Sequence, residues 1–244
     1  LSREAIPTGL SSPLWSVQNT VYPLLQAWGN GYVLEIKPSG SFSKGTANKS
    51  GTDIDLFVSL SENTPETLSD IYNKLDRRMQ ELGYTTRRQD VSINIRVFGQ
   101  SVDLVPAKRQ NALSTDHSLY RRKANTWTKT NVDMHASYVG KCGRLEEIRI
   151  MKLWRDQHKL EWPSFYLELT VIEALGTTLL GAEPFGTLAE NVMTVCRYLR
   201  DKFMDASVRD PGNWSNLVSG DLTQGEKLAI KNKAAQALSA TNWN

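Results

Sequence analysis

Gly40-Ser41-Phe42-Ser43-Lys44-Gly45-Thr46 and, a few residues on, Asp53-Ile54-Asp55-Leu56-Phe57-Val58 make up the stretch that decides the fold. In its second part Asp53, Asp55 and Phe57 alternate with Ile54, Leu56 and Val58, the two-residue period of a strand running to Leu60. Asp53 and Asp55 therefore share one face, about 6.6 Å apart along the strand, close enough to reach a common pair of metal ions. The first part reads as a loop over Ser39 to Gly51. In it Gly40 lets phosphates approach the backbone and the Ser41 hydroxyl can donate to them. It is not a Walker A loop, because Lys44 precedes Gly45 and no Gly-Lys-Ser/Thr follows, and it is not a Rossmann fingerprint. Taken alone, an Asp-x-Asp is more often a polar strand end than a metal site.

Upstream, Leu14, Val17, Val21, Leu24 and Leu25 recur at helical spacing over residues 12–28, and Gly29 and Gly31 stop the pattern. Tyr32 to Ile36 reads as a short strand ending at Pro38. Downstream, a helix is predicted with Thr64 as cap, Pro65 in its first turn, Leu68, Ile71, Leu75, Met79 and Leu82 as its apolar stripe and Gly83 at its end. Val91, Ile93, Ile95 and Val97 alternate with polar residues, Gly99-Gln100 reads as a turn, and Ser101 to Val105 resumes extended structure before Pro106, which suggests a hairpin. From about residue 143 the pattern is helical, over Leu145 to His158, Ser164 to Leu175, Thr187 to Phe203 and Thr223 to Leu238. Thr187 with Glu190, and Thr223 with Glu226, have capping-box spacing.

The composition, 40% hydrophobic and 23% charged over 244 residues, is that of a folded protein large enough to enclose a cleft. A net charge of +3 suits phosphate-bearing ligands but is too mild to indicate nucleic acid by itself. Cys142 and Cys196 stand alone, without Cys/His clustering, so neither a disulfide framework nor a zinc site is argued, and a reducing cytoplasm is the expected compartment. No apolar run reaches membrane-spanning length. Arg87-Arg88, Lys108-Arg109 and Arg121-Arg122-Lys123 read either as solvated surface or as the flanks of a cleft that receives polyphosphate. Lys152 reads as a solvated lysine on an amphipathic helix and Ser164 as a cap beside Pro163. Trp127 reads as core before base-stacking. Glu168 lies in a helix apolar nearly all round and needs a partner if buried.

Gly40-Ser41, eleven residues and Asp53-Ile54-Asp55-Leu56 resemble the signature of the polymerase-β-like nucleotidyltransferase superfamily. A third carboxylate comes from a later strand there, and Asp103, in Ser101-Val102-Asp103-Leu104-Val105-Pro106, occupies the matching place. Arg149 to Trp154, Pro163 to Leu169 and Asp210-Pro211-Gly212-Asn213-Trp214 resemble segments of 2′-5′-oligoadenylate synthetases and bacterial cGAS/DncV-like nucleotidyltransferases, so the similarity spans nearly the whole chain.

The resemblance implies an α/β (α+β) fold: a mixed-sheet lobe with its N-terminal helix over residues 1–135, a helical lobe over 136–244 closing on the nucleotide, and an active site in the cleft between them. It makes Asp53, Asp55 and Asp103 both catalytic and metal-binding, with two Mg²⁺ ions as cofactor and Mn²⁺ as the alternative. It also makes Gly40, Ser41, Lys152 and Ser164 ligands of the nucleotide. The implied substrates are nucleoside triphosphates, ATP first among them, joined into a cyclic or short linear oligonucleotide with release of pyrophosphate. The zinc insertion of the animal DNA sensor is absent and no added basic helix is evident, so no long nucleic-acid activator is expected. A CCA-adding or poly(A)-type polymerase would need an RNA-holding surface not evident in so short a chain. A catalytically silent nucleotide-binding regulator is disfavoured by retention of all three acids. Neither a membrane nor a particular protein partner is indicated.

Overall fold

The computed structural model describes Ile6 and residues 13–49, 53–176 and 186–240. The chain divides into two compact units, one running to Ala136 and the other from Ser137. No helix among the described residues is long and apolar enough to cross a membrane.

In the first unit, α1 (Pro13–Trp28) leads into β1 (Val33–Pro38), a short helix α2 (Gly40–Lys44) and β2 (Ile54–Leu60). α3 (Leu68–Glu81), β3 (Arg87–Arg88), β4 (Ile93–Val97) and β5 (Gln100–Arg109) follow, then β6 (His117–Arg121) and β7 (Thr126–Thr130). The seven strands form one mixed sheet in the order β1-β2-β5-β4-β3, with β6 pairing β5 and β7 pairing β6. Only β2 and β5 run parallel among these pairs; the rest are antiparallel.

Strand alternation divides the sheet into two faces. Ile54, Leu56 and Val58 on β2, Val102 and Leu104 on β5, and Ile93, Ile95 and Val97 on β4 form one buried cluster with Val17, Val21 and Leu25 of α1 and Tyr72, Leu75 and Met79 of α3. Each such side chain contributes about 1.5–3 kcal/mol by leaving water. The intervening positions, Asp55, Ser101, Asp103, Asn94 and Arg96, fall on the opposite face by register, and Asp53 immediately precedes β2.

Several boundaries differ from the sequence expectation. Part of the stretch expected as a loop is α2, closed by Gly45 at φ 71°; residues 50 and 51, at its expected end, lie outside the described residues. The cap of α3 is Thr67, whose hydroxyl accepts from Asp70 N at 3.1 Å, whereas the buried Thr64 donates to Ser61 O at 2.7 Å. The β4–β5 turn is Phe98-Gly99, both at positive φ (50° and 78°), as a two-residue hairpin of right-handed twist requires. Pro106 does not end β5. It lies where the strand's edge partner changes from β4, last paired at Leu104, to β6, first paired at Ala107, so its missing N–H breaks no ladder bond on that edge.

His117 is buried between Ser59, Thr115 and the ring of Phe57. Its Nδ1 lies 2.8 Å from the Thr115 carbonyl, which can only accept, so Nδ1 carries the proton and Nε2 accepts from the Ser59 hydroxyl at 2.7 Å. Burial holds the imidazole pKa below its ordinary 6.5. The unfolded chain therefore takes up a proton that the folded chain refuses, and the stability contributed by neutral His117 is complete above pH 6.5 and lost as pH falls below it, towards the folded-state pKa. Melting profiles of wild type and His117→Gln should run parallel above pH 6.5 and converge below it; profiles parallel throughout would show that the ring carries no such linkage.

The second unit is mainly helical. α4 (Val132–Gly140) carries the chain across the division, and α5 (Leu145–Gln157), α6 (Ser164–Leu175), α7 (Leu188–Asp201) and α8 (Gln224–Ser239) follow, with a hairpin of β8 (Arg209–Asp210) and β9 (Asn213–Leu217) before α8. Both capping boxes form: Thr187 with Glu190, and Thr223 with Glu226. The core gathers Ile148, Met151, Tyr166, Leu167, Val195, Leu199, Phe203 and Ile230. Arg144 ties α6 to α5, donating to the carbonyls of Leu175 and Gly176 and pairing with Glu147, which also accepts from Asn191.

Candidate active site

The parallel register of β2 and β5 sets Asp55 directly beside Asp103. Asp53 sits at the start of the same strand edge, exposed, while Asp55 is half-buried. Next to Asp55 comes the turn from β1 into α2. A side chain on Gly40 would put its Cβ 1.8 Å from Asp55 Oδ2, and the backbone there has φ +58°. Glycine is thus required twice, for its conformation and because the carboxylate occupies the space a side chain would need. The sequence supplied a different reason, the approach of phosphate. Ser39 N completes the contact by donating to Asp55 O at 2.8 Å. Ser41, half-buried, is the second residue of α2.

Asp103 is 8% exposed and accepts from Asn94 Nδ2 at 2.6 Å, Gln89 Nε2 at 3.0 Å and Ser92 Oγ at 3.3 Å. Burial pushes its pKa up and the negative charge of Asp53 adds to the rise, while hydrogen bonds from Asn94 and Ser92 and the charge of Arg87 oppose it. Gln89, Ser92 and Asn94 were not singled out from the sequence. The alternation of β4 places Asn94 facing away from the apolar cluster, and a polar residue there was the available signal.

The backbone sets Asp55 and Asp103 on one face, the Asp55 carboxylate against Gly40 and that of Asp103 held by Asn94, Gln89 and Ser92. Among the described residues no three His, Cys, Asp or Glu side chains are grouped as a metal ion would need. The donor set suits a hard divalent cation, since it is all carboxylate, and the upward pressure on Asp103 from Asp53 is a repulsion that such a cation would offset.

Lys152 and Ser164 belong to the second unit. Lys152 is not a solvated lysine: it is 5% exposed, and its Nζ lies 2.7 Å from Oε1 of Glu168, itself 0% exposed. Ser164 is the first residue of α6 rather than its cap, a place taken by Pro163, and its hydroxyl accepts from Arg155 Nη1 at 2.8 Å. Trp127, expected in the core, is 57% exposed on β7.

Paired carboxylates on neighbouring parallel strands beside a Gly-Ser turn define a class of protein. The sequence model described as "nucleotidyltransferase domain" matches residues 24–122, which hold Gly40, Ser41 and all three acids. Residues 24–122 thus carry the pattern of a nucleotidyltransferase domain.

The chain is 26% identical over 157 residues to the cyclic AMP-AMP-AMP synthase of Escherichia coli (strain MS 115-1), a match covering 59% of this chain and 49% of that protein. The chain thus spans about half the length of this curated relative. The structure of CdnC with ATP from E. coli MS115-1 superposes with a TM-score of 0.73 at 22% identity, covering 92% of this chain and 81% of that one. The CdnE cyclic dinucleotide synthase of Elizabethkingia meningoseptica, solved with GTP and Apcpp, gives 0.70 at 15% identity, covering 93% and 92%. The fold is the polymerase-β-like fold of the bacterial cGAS/DncV-like nucleotidyltransferases.

Proposed function

We propose that the chain joins nucleoside triphosphates, ATP first among them, into a cyclic or short linear oligonucleotide signal and releases pyrophosphate. The observation that carries this reading is the parallel pairing of Asp55 with Asp103 against the Gly40 turn. Asp53, Asp55 and Asp103 would hold Mg²⁺, whose charge offsets that of the triphosphate and acidifies the attacking hydroxyl. Gly40 and Ser41 offer the phosphates a close backbone and a hydroxyl donor, and Lys152 and Ser164 are candidate nucleotide ligands within the second unit. Asp103, set beside Asp55 by the strand register, orients the attacking ribose hydroxyl and takes its proton. The bond formed joins that ribose oxygen to the α-phosphorus; the bond broken is the one from the α-phosphorus to the oxygen bridging to the β-phosphate.

Free nucleotides are expected to suffice. A duplex-sensing surface needs many unengaged cations, yet four of the seven cations in the basic clusters are engaged within their own unit. Arg88 pairs with Asp76, Arg121 with Asp90, Arg122 donates to Gln89 O and Lys108 to Thr64 O. Nuclease-treated protein incubated with all four labelled NTPs and Mg²⁺ at low salt should release pyrophosphate and give a short oligonucleotide by mass analysis. Rates should be similar with and without double-stranded RNA or DNA. Product that appears only with duplex would overturn the activator part of the reading, and no product under either condition would overturn the reading itself.

A further inference from the structure

The sheet register extends the acid row beyond Asp103. Asp103 on β5 faces Asn94 on β4, and Asn94 faces Arg87 on β3, so Asp55, Asp103, Asn94 and Arg87 form one line across four strands on one face. Arg96 lies two residues from Asn94 on that same face, opposite Ser101. Diagonal neighbours on adjacent antiparallel strands are about 7–8 Å apart, a span that two arginine side chains close on a common anion. A pocket of about 450 Å³ opens there, lined by Thr86, Arg87, Asn94, Arg96 and Ser101 among others. The pocket reaches Asp103 through Asn94, whose amide donates at once to Asp103 Oδ1 at 2.6 Å and to Ser101 Oγ at 2.8 Å. Among the described residues the Arg87 guanidinium makes no hydrogen bond or ion pair, and Arg96 reaches only the Gly99 carbonyl, at 3.5 Å. The neighbouring Arg88, by contrast, is engaged by Asp76, Asn73 and the ring of Tyr72.

We infer that Arg87 and Arg96 form a phosphate subsite for the attacking nucleotide, at the opposite end of the acid row from the Gly40 turn. This rests on the proposed function, because it takes Asp103 as the residue that meets the attacking hydroxyl. The row then has a direction. The donor's phosphates lie at Gly40 and Asp55, on the β1 side, and the attacker's 5′-phosphates lie at Arg87 and Arg96, on the β3 side. Paired guanidinium groups recognise a phosphate by parallel N–H donation, with Ser101 and Thr86 as neutral donors beside them. A nucleotide is thereby preferred over a nucleoside as acceptor.

The test uses 2′,3′-dideoxy-ATP as donor, which has no hydroxyl with which to attack, and compares adenosine with ADP as acceptor. In the wild type kcat/KM should favour ADP, and the double variant Arg87→Ala with Arg96→Ala should reduce the ADP-to-adenosine ratio by about ten- to a hundredfold, the loss expected for one or two charge-assisted hydrogen bonds. An unchanged ratio would overturn the subsite. A wild type that transfers to neither acceptor would instead sink the underlying reading of Asp103. ADP titrated against both proteins without divalent metal then decides the subsite alone: weaker binding to the double variant supports it, and equal binding overturns it.

Discussion

Replacing Asp53 or Asp55 by Asn is expected to reduce NTP turnover by more than the roughly 10–100-fold that follows loss of a residue merely supporting a metal ligand. The fold should be little affected. Asp53 is exposed at the strand end, and Asn is close enough in shape to lie against Gly40 where Asp55 does. Each substitution also removes a negative charge from a face where carboxylates repel, so the melting temperature should hold or rise. Pyrophosphate release and thermal denaturation, measured on both variants, separate the cases. Folded variants with near-normal turnover would remove the acids from the metal site, and unfolding of both would make them structural.

The largest stability effect is expected in the helical unit. Glu168→Ala leaves the Lys152 ammonium, 5% exposed, without the carboxylate 2.7 Å away, and breaking a buried pair on one side costs about 3–5 kcal/mol. Replacing both, Lys152→Met with Glu168→Leu, should recover most of that loss, because two buried charges need each other more than the core needs either. Chemical denaturation of the two variants decides it; equal losses would show that Glu168 matters through its other contacts rather than through Lys152. The same pair bears on the nucleotide. If Lys152 touches the triphosphate as well as Glu168, the double replacement should restore stability while weakening a non-hydrolysable NTP by the roughly 1.5–3 kcal/mol of a charge-assisted bond. Unweakened binding would leave Lys152 a purely structural cation.

What the sequence revealed follows from which signals are local. β2 was legible because its alternate positions are apolar enough to name a buried face, and the two capping boxes because three-residue spacing is intrinsic to a helix start. The cap of α3 was misplaced by one turn, although Asp70, three residues after Thr67, carried the better signal. β6 and β7 went unassigned because only Leu119 and His117 of the hairpin's first strand are buried and the second is mostly polar. Asn125, a residue type that tolerates the left-handed backbone it adopts at φ 47°, and the alternating Thr126-Trp127-Thr128 were the clues available. The burial of Glu168 and its need of a partner could be read; that the partner is Lys152, on another helix, could not. Nor could the line from Asp55 to Arg87, since register between strands distant in sequence is set by tertiary pairing rather than by either strand alone.

The parallel contact between β2 and β5 also fixes when the site comes into being. A hairpin can zip up from its turn, but parallel strands meet only after the intervening chain has doubled back, here through α3, β3 and β4. The entropy of closing that crossover must be met before the pairing offers any return, which places this contact late in folding. An unfolded or half-folded chain holds Asp55 and Asp103 far apart and so offers a divalent ion no chelating pair. The row of acids is therefore a property of the finished sheet, and a nascent chain cut short before Gln100 carries Asp55 without Asp103 beside it.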